Sequence, residues 1–137
     1  MRKSLWLLVT TVLLLPFTLV ACNERNGVQG GDDATYEQIT PVEAKALMDS
    51  EKDYIILDVR TPEEFATGHI AGAILIPDYE IGEKAESVLP DKDQLILVYC
   101  RSGRRSKNAA SELATLGYTN IKEFGGIIDW EYGTVTE

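Results

Sequence analysis

From Thr40 onward the chain alternates two kinds of hydrophobic spacing. Tyr54-Ile55-Ile56-Leu57 and Leu95-Ile96-Leu97-Val98-Tyr99 are uninterrupted apolar runs, the pattern of strands covered on both faces. The stretches between them have helical starts and stops. Thr40-Pro41-Val42-Glu43 places Thr40 as N-cap, Pro41 at the first helical position and Glu43 as the return arm of a capping box. Ala44, Leu47 and Met48 supply that helix's apolar stripe. Thr61-Pro62-Glu63-Glu64 repeats the signature and predicts a shorter helix ended by Gly68. Ala73–Ile76 reads as a short strand stopped by Pro77, and Ile81–Leu89 as a helix stopped by Pro90. Ser106–Leu116 predicts a helix with Ala109, Ala110, Leu113 and Leu116 on one side, closed by Gly117. Ile121–Phe124 reads as a last strand and Gly126–Tyr132 as a short closing helix. Strand-helix alternation with apolar strands implies an α/β domain, its parallel sheet carrying helices on both faces.

Residues 1–21 follow another pattern. Arg2 and Lys3 precede an almost wholly apolar run from Leu5 to Val20, and no acidic residue occurs before Glu24. This is the layout of a secretory signal. Its exit, Leu19-Val20-Ala21-Cys22, resembles the lipobox of bacterial lipoproteins. The resemblance implies cleavage before Cys22, a diacylglycerol thioether on its sulfur, and a domain held outside the cytoplasm at a cell membrane or outer membrane. An uncleaved membrane-anchor helix is the alternative. Residues 22–35, with Gly27, Gly30 and Gly31, read as a tether, leaving 36–133 as the folded domain and 134–137 as a C-terminal tail.

Charge narrows the partners. The 137 residues carry 13 Lys and Arg against 22 Asp and Glu, a net charge of −9. Loss of residues 1–21 removes two of those cations and no acid, giving −11. So acidic a chain is a poor ligand for nucleic acid and gains nothing from anionic lipid; an acyl anchor must hold it alone. One His and two Cys exclude a disulfide framework and leave no metal site of His and Cys to expect. No cofactor is expected either, and the domain reads as a monomer.

The chemistry concentrates in Cys100-Arg101-Ser102-Gly103-Arg104-Arg105-Ser106. Cys100 ends the strongest predicted strand, and a helix follows five residues on. Open α/β sheets bind ligands at that edge. A short loop entering a helix turns successive N–H groups inward, and the helix N-terminus adds partial positive charge. Arg101, Arg104 and Arg105 add three cations. All of this favours a thiolate at Cys100, on a thiol expected to be exposed and open to oxidation. Gly103 permits the tight turn. Arg101 and Arg105 are candidates for drawing in an anion, while Arg104 fits an outward-facing turn position.

These segments resemble a single-domain rhodanese, a sulfurtransferase module. Leu57-Asp58-Val59-Arg60 matches the family's strand-end motif. Glu63-Glu64-Phe65 followed by Gly68-His69-Ile70-Ala71-Gly72-Ala73 and Ile76-Pro77 matches its second. Val98-Tyr99-Cys100-Arg101-Ser102-Gly103 matches the active-site loop, and Gly125-Gly126-Ile127-Ile128-Asp129-Trp130 the closing motif. Leu75 departs from it, standing where many members carry Asn. The resemblance implies a mainly parallel five-stranded sheet and a two-step reaction. Cys100 would take sulfane sulfur from an anionic donor (thiosulfate, polysulfide or a persulfide), and a thiol or cyanide-like acceptor would remove it. The N–H groups of Arg101 to Ser106 would stabilise the persulfide. It also suggests that Asp58 and Arg60 brace the site, though a structural ion pair accounts for them equally well. His69 and Trp130 fit structural roles.

Two other function classes stay open. The rhodanese fold also hosts phosphatases and arsenate reductases, whose loops are one residue longer between Cys and Arg. Here four residues separate Cys100 from Arg105, and the next position is Ser106. A non-enzymatic persulfide- or redox-sensing module would also retain the cysteine.

Overall fold

The computed structural model describes residues 35–136. The proposed signal segment, Cys22 and nearly all of the proposed tether lie outside the described residues. Among the described residues, no helix is long and apolar enough to cross a membrane. Five strands, β1 (Glu37–Gln38), β2 (Tyr54–Asp58), β3 (Ile74–Leu75), β4 (Leu95–Cys100) and β5 (Ile121–Gly126), form one parallel sheet in the order β1-β5-β4-β2-β3. Four helices connect them: α1 (Pro41–Ser50), α2 (Pro62–Thr67), α3 (Ile81–Val88) and α4 (Arg104–Thr115).

The uninterrupted apolar runs have the origin inferred for them. β4 is the middle strand and all six of its residues are buried. Its alternate side chains enter two separate cores. Ile96, Val98 and Cys100 pack with Ile81 and Ala85 of α3 and Ala109, Ala110 and Leu113 of α4. Leu95, Leu97 and Tyr99 pack with Ala44 of α1 and with Phe124. Each Leu or Ile fully buried this way contributes about 1.5–3 kcal/mol, so both faces of β4 must be apolar.

Both capping boxes form. Thr40 accepts the Glu43 N–H while the Glu43 carboxylate accepts the Thr40 N–H, and Thr61 and Glu64 repeat the exchange. Each cap is worth about 1 kcal/mol and fixes where the chain turns from strand edge into helix.

Two expectations are corrected. α4 begins at Arg104, two residues before Ser106, because Gly103 takes a left-handed conformation (φ +100) and lets the helix start at once from the loop. The closing helix shrinks to a single 3₁₀ turn, Ile127–Asp129. Trp130 leaves it in an extended conformation, lies 5.7 Å from the Phe124 ring and donates its indole N–H to the Gly133 carbonyl. Strand β1 carried no apolar run to reveal it; it pairs with β5 through Glu37 and Gln38. At the other end, Val135 exchanges two backbone hydrogen bonds with His69, so the tail is pinned to the domain.

Candidate active site

The carboxyl ends of β2, β4 and β5 meet at one edge, and Cys100 is the last residue of β4. Its side chain faces α4 and the residue is 1% exposed. The expectation of an exposed thiol is therefore corrected: the loop and the start of α4 close over it. The polar surroundings nevertheless hold. The Gly103 N–H donates to Sγ at 3.0 Å. Burial pushes the thiol up, but hydrogen bonds from the Ser106 hydroxyl and N–H and from the N–H groups of Gly103 and Ser102 outweigh it, and Cys100 lies below the usual cysteine value. Burial alone would oppose the thiolate.

The arginines divide by role. Arg105, in the first turn of α4, makes a bidentate pair with Glu64 at 2.7 and 2.8 Å. Its charge also couples to Cys100. Glu64 thus caps α2 and ties α2 to α4. Arg101 and Arg104 are exposed. Of the two residues suggested as anion guides, Arg101 is the one presented to solvent, and Arg105 is committed to a carboxylate.

The Arg105 guanidinium holds the Glu64 carboxyl down at about 2, from an ordinary 4.5. A carboxyl lowered on folding stabilises the protein fully above its unfolded value and loses that contribution as pH falls through the folded one. Glu64→Gln is therefore expected to cost about 1 kcal/mol at neutral pH, given the partial exposure of the pair. That difference should fade from about pH 4.5 down to about pH 2 in urea titrations of the two proteins.

Asp58 and Arg60 form a buried pair, with side chains 0% and 5% exposed and Nη2 2.6 Å from Oδ2. Arg60 also donates to the Gly68 carbonyl and stands 5.7 Å over the Tyr99 ring. This geometry braces the β2 end against the segment that follows α2. His69 is buried, stacks on Phe65 at 3.7 Å and meets the Phe65 carbonyl through Nδ1; these contacts give it a structural role.

Two features of the site had not been anticipated. Glu123 is buried beneath the loop and accepts the Ser106 hydroxyl at 2.5 Å and the Gly125 N–H at 2.8 Å. The signal was present: Glu123 stands two residues after Ile121 in a predicted strand, so it had to share Ile121's inward face. The second is the closeness of β5 to the loop. Between Val98 and Cys100 the β4–β5 register gains a residue on β5, with Gly125 at φ +87, as in a glycine bulge. The bulge brings Gly126 so near that a Cβ there would lie 2.1 Å from the Arg101 carbonyl oxygen.

Known proteins share this construction. A thiosulfate sulfurtransferase of Escherichia coli, PspE, is 41% identical over 73 residues, covering 53% of this chain and 70% of the relative. A sulfurtransferase of Allochromatium vinosum is 38% identical over 88 residues, covering 64% and 79%. The crystal structure of a rhodanese-related protein from Thermoplasma volcanium superposes with a TM-score of 0.65 at 34% identity, covering 74% of this chain and 100% of that one. The family model for rhodanese-like domains matches residues 40–132. That span runs from the cap of α1 through the thiol loop to the last 3₁₀ turn, and the chain belongs to the rhodanese-like domain family.

Proposed function

We propose that this domain moves sulfane sulfur from a small anionic donor, through a persulfide on Cys100, to a thiophilic acceptor. The Cys100 thiolate attacks the outer sulfur of a donor such as thiosulfate. A new S–S bond forms, the donor's S–S bond breaks, and sulfite leaves with the bonding pair. An acceptor nucleophile then takes the terminal sulfur and restores the thiolate. Attack on sulfur needs an ionised thiol and a stabilised anion afterwards. The observation that carries the reading is the Gly103 N–H donated to Cys100 Sγ at 3.0 Å, at the strand end where α4 begins. Donors fixed in this way can serve a terminal persulfide sulfur as an oxyanion hole serves oxygen. Arg101, exposed directly after the thiol, is placed to meet the donor.

The assay is thiosulfate:cyanide transfer run beside aryl-phosphate hydrolysis. Transfer without hydrolysis is expected; hydrolysis without transfer would replace this reading with the phosphatase one. The leader belongs to the same proposal: Cys22 carries the lipid that holds the domain at a membrane outside the cytoplasm. The mature protein should then show one titratable thiol, Cys100, and a second free thiol would remove the anchor from the proposal.

A further inference from the structure

Beside the thiol loop lies a cleft of about 290 Å³ that the sulfur-transfer reading leaves without a task. Pro41 at the start of α1, Ser102 and Gly103 of the loop, and Lys107 of α4 line it, with Glu123 of β5 and Asp129 of the last 3₁₀ turn. Ligand clefts run upward from about 300 Å³, so this one suits a ligand of amino-acid size. Gly103 joins it to the thiol: the same residue lines the cleft and donates its N–H to Cys100 Sγ at 3.0 Å. A terminal persulfide sulfur would stand about 2 Å from Sγ.

The charges that line this cleft do not satisfy one another. Lys107 and Asp129 are both exposed, and among the described residues neither forms an ion pair. Other lysines of the domain hold an acid at short range: Lys45 has Asp49, Lys84 has Glu80 and Lys92 has Glu86. Glu123 is a second acid in the cleft, 2% exposed, and the donors it accepts from are neutral: the Ser106 hydroxyl, the Gly125 N–H and the Gln38 amide. A small dianion such as thiosulfate would meet one cation and two acids there, an arrangement that discriminates against it. A ligand that bears both an ammonium and a carboxylate would find an opposite charge for each.

We propose that this cleft is the acceptor subsite and that it takes a thiol with an amino-acid head group, its carboxylate on Lys107 and its ammonium on Asp129. The inference rests on the sulfur-transfer reading and names the acceptor of its second half. The ligand's thiol loses its proton to solvent, and the thiolate attacks the terminal sulfur of the Cys100 persulfide. A new S–S bond forms to the ligand, the bond between that sulfur and Sγ breaks, and the bonding pair returns to Sγ. The products are a persulfide of the ligand and the Cys100 thiolate, with no oxidant or reductant consumed. Donor and acceptor are thereby sorted by charge: the anionic donor meets Arg101, and the doubly charged acceptor meets Lys107 and Asp129.

The test loads the full chain with sulfur from thiosulfate, removes the excess donor and times the loss of persulfide mass from Cys100. The acceptors are cysteine, cysteamine, which keeps only the ammonium, and 3-mercaptopropionate, which keeps only the carboxylate. Each rate is divided by that of the same protein with cyanide, which carries neither group. Lys107→Gln should slow cysteine and 3-mercaptopropionate about threefold against cysteamine, and Asp129→Asn should slow cysteine and cysteamine about threefold against 3-mercaptopropionate. Equal slowing of all three thiols, or ratios that neither variant changes, would overturn the subsite. The two readings fail separately. A wild type that takes up no sulfur removes the transfer reaction and the acceptor role with it, whereas transfer to cyanide with thiol ratios indifferent to both charges removes the subsite alone.

Discussion

Cys100→Ser is expected to leave a folded protein that takes up no sulfur. After thiosulfate treatment the wild type should gain the mass of one sulfur atom on Cys100, and the variant none. Thiosulfate:cyanide transfer should fall by about 10³-fold or more, because no other group can supply the covalent step. Fold should survive: the replacement is close in size, and a hydroxyl can accept the Gly103 N–H that now meets Sγ. Retention of donor-dependent transfer, or sulfur mass on the variant, would place the chemistry elsewhere. The same mass measurement decides against a sensor that never takes up sulfur.

The extent to which sequence revealed this site follows from which forces act locally. Both capping boxes, the sheet's parallel class and the placement of Cys100 at a strand end were legible because they rest on spacing within a few residues: Thr40 to Glu43, Thr61 to Glu64, six apolar residues in a row. What stayed hidden depends on partners far along the chain. Glu64 and Arg105 are 41 positions apart and Ser106 and Glu123 17, so charge and spacing along the chain could not show that one arginine faces solvent while another is held. Burial of the thiol was missed for a related reason. The Arg-Ser-Gly-Arg-Arg run after Cys100 reads as exposed, yet the thiol before it is buried in the core that α3 and α4 share with β4. Strand β1 is two polar residues long and exists because β5 offers it an edge, which periodicity cannot register. The closing helix failed because Trp130 gains more from Phe124 and the Gly133 carbonyl than from another helical turn.

Gly126→Ala should be the most damaging single methyl in the domain, and it isolates packing from conformation. At φ −127 and ψ 152 the backbone of Gly126 suits any residue, so the cost is wholly steric. The new Cβ would sit 2.1 Å from the Arg101 carbonyl oxygen, 2.5 Å from its carbon and 2.6 Å from Ser102 Cα. These are main-chain atoms of the thiol loop and cannot swing aside like a flexible side chain. Either β5 or the loop must shift, at about 3 kcal/mol or more. A loop displaced by about 1 Å would lose about 10²-fold in sulfur transfer, and the Gly103 N–H would no longer be aimed at Sγ. Gly103→Ala is the matched comparison. There the Cβ meets Gly125 Cα at an ordinary 3.5 Å, but φ is +100, so about 1–2 kcal/mol of conformational strain is expected with no collision. Urea denaturation should therefore rank Gly126→Ala as the less stable of the two. The reverse order, or a Gly126→Ala protein with wild-type transfer rates, would mean that β5 does not hold the loop in place and that the donors around Cys100 are positioned by α4 alone.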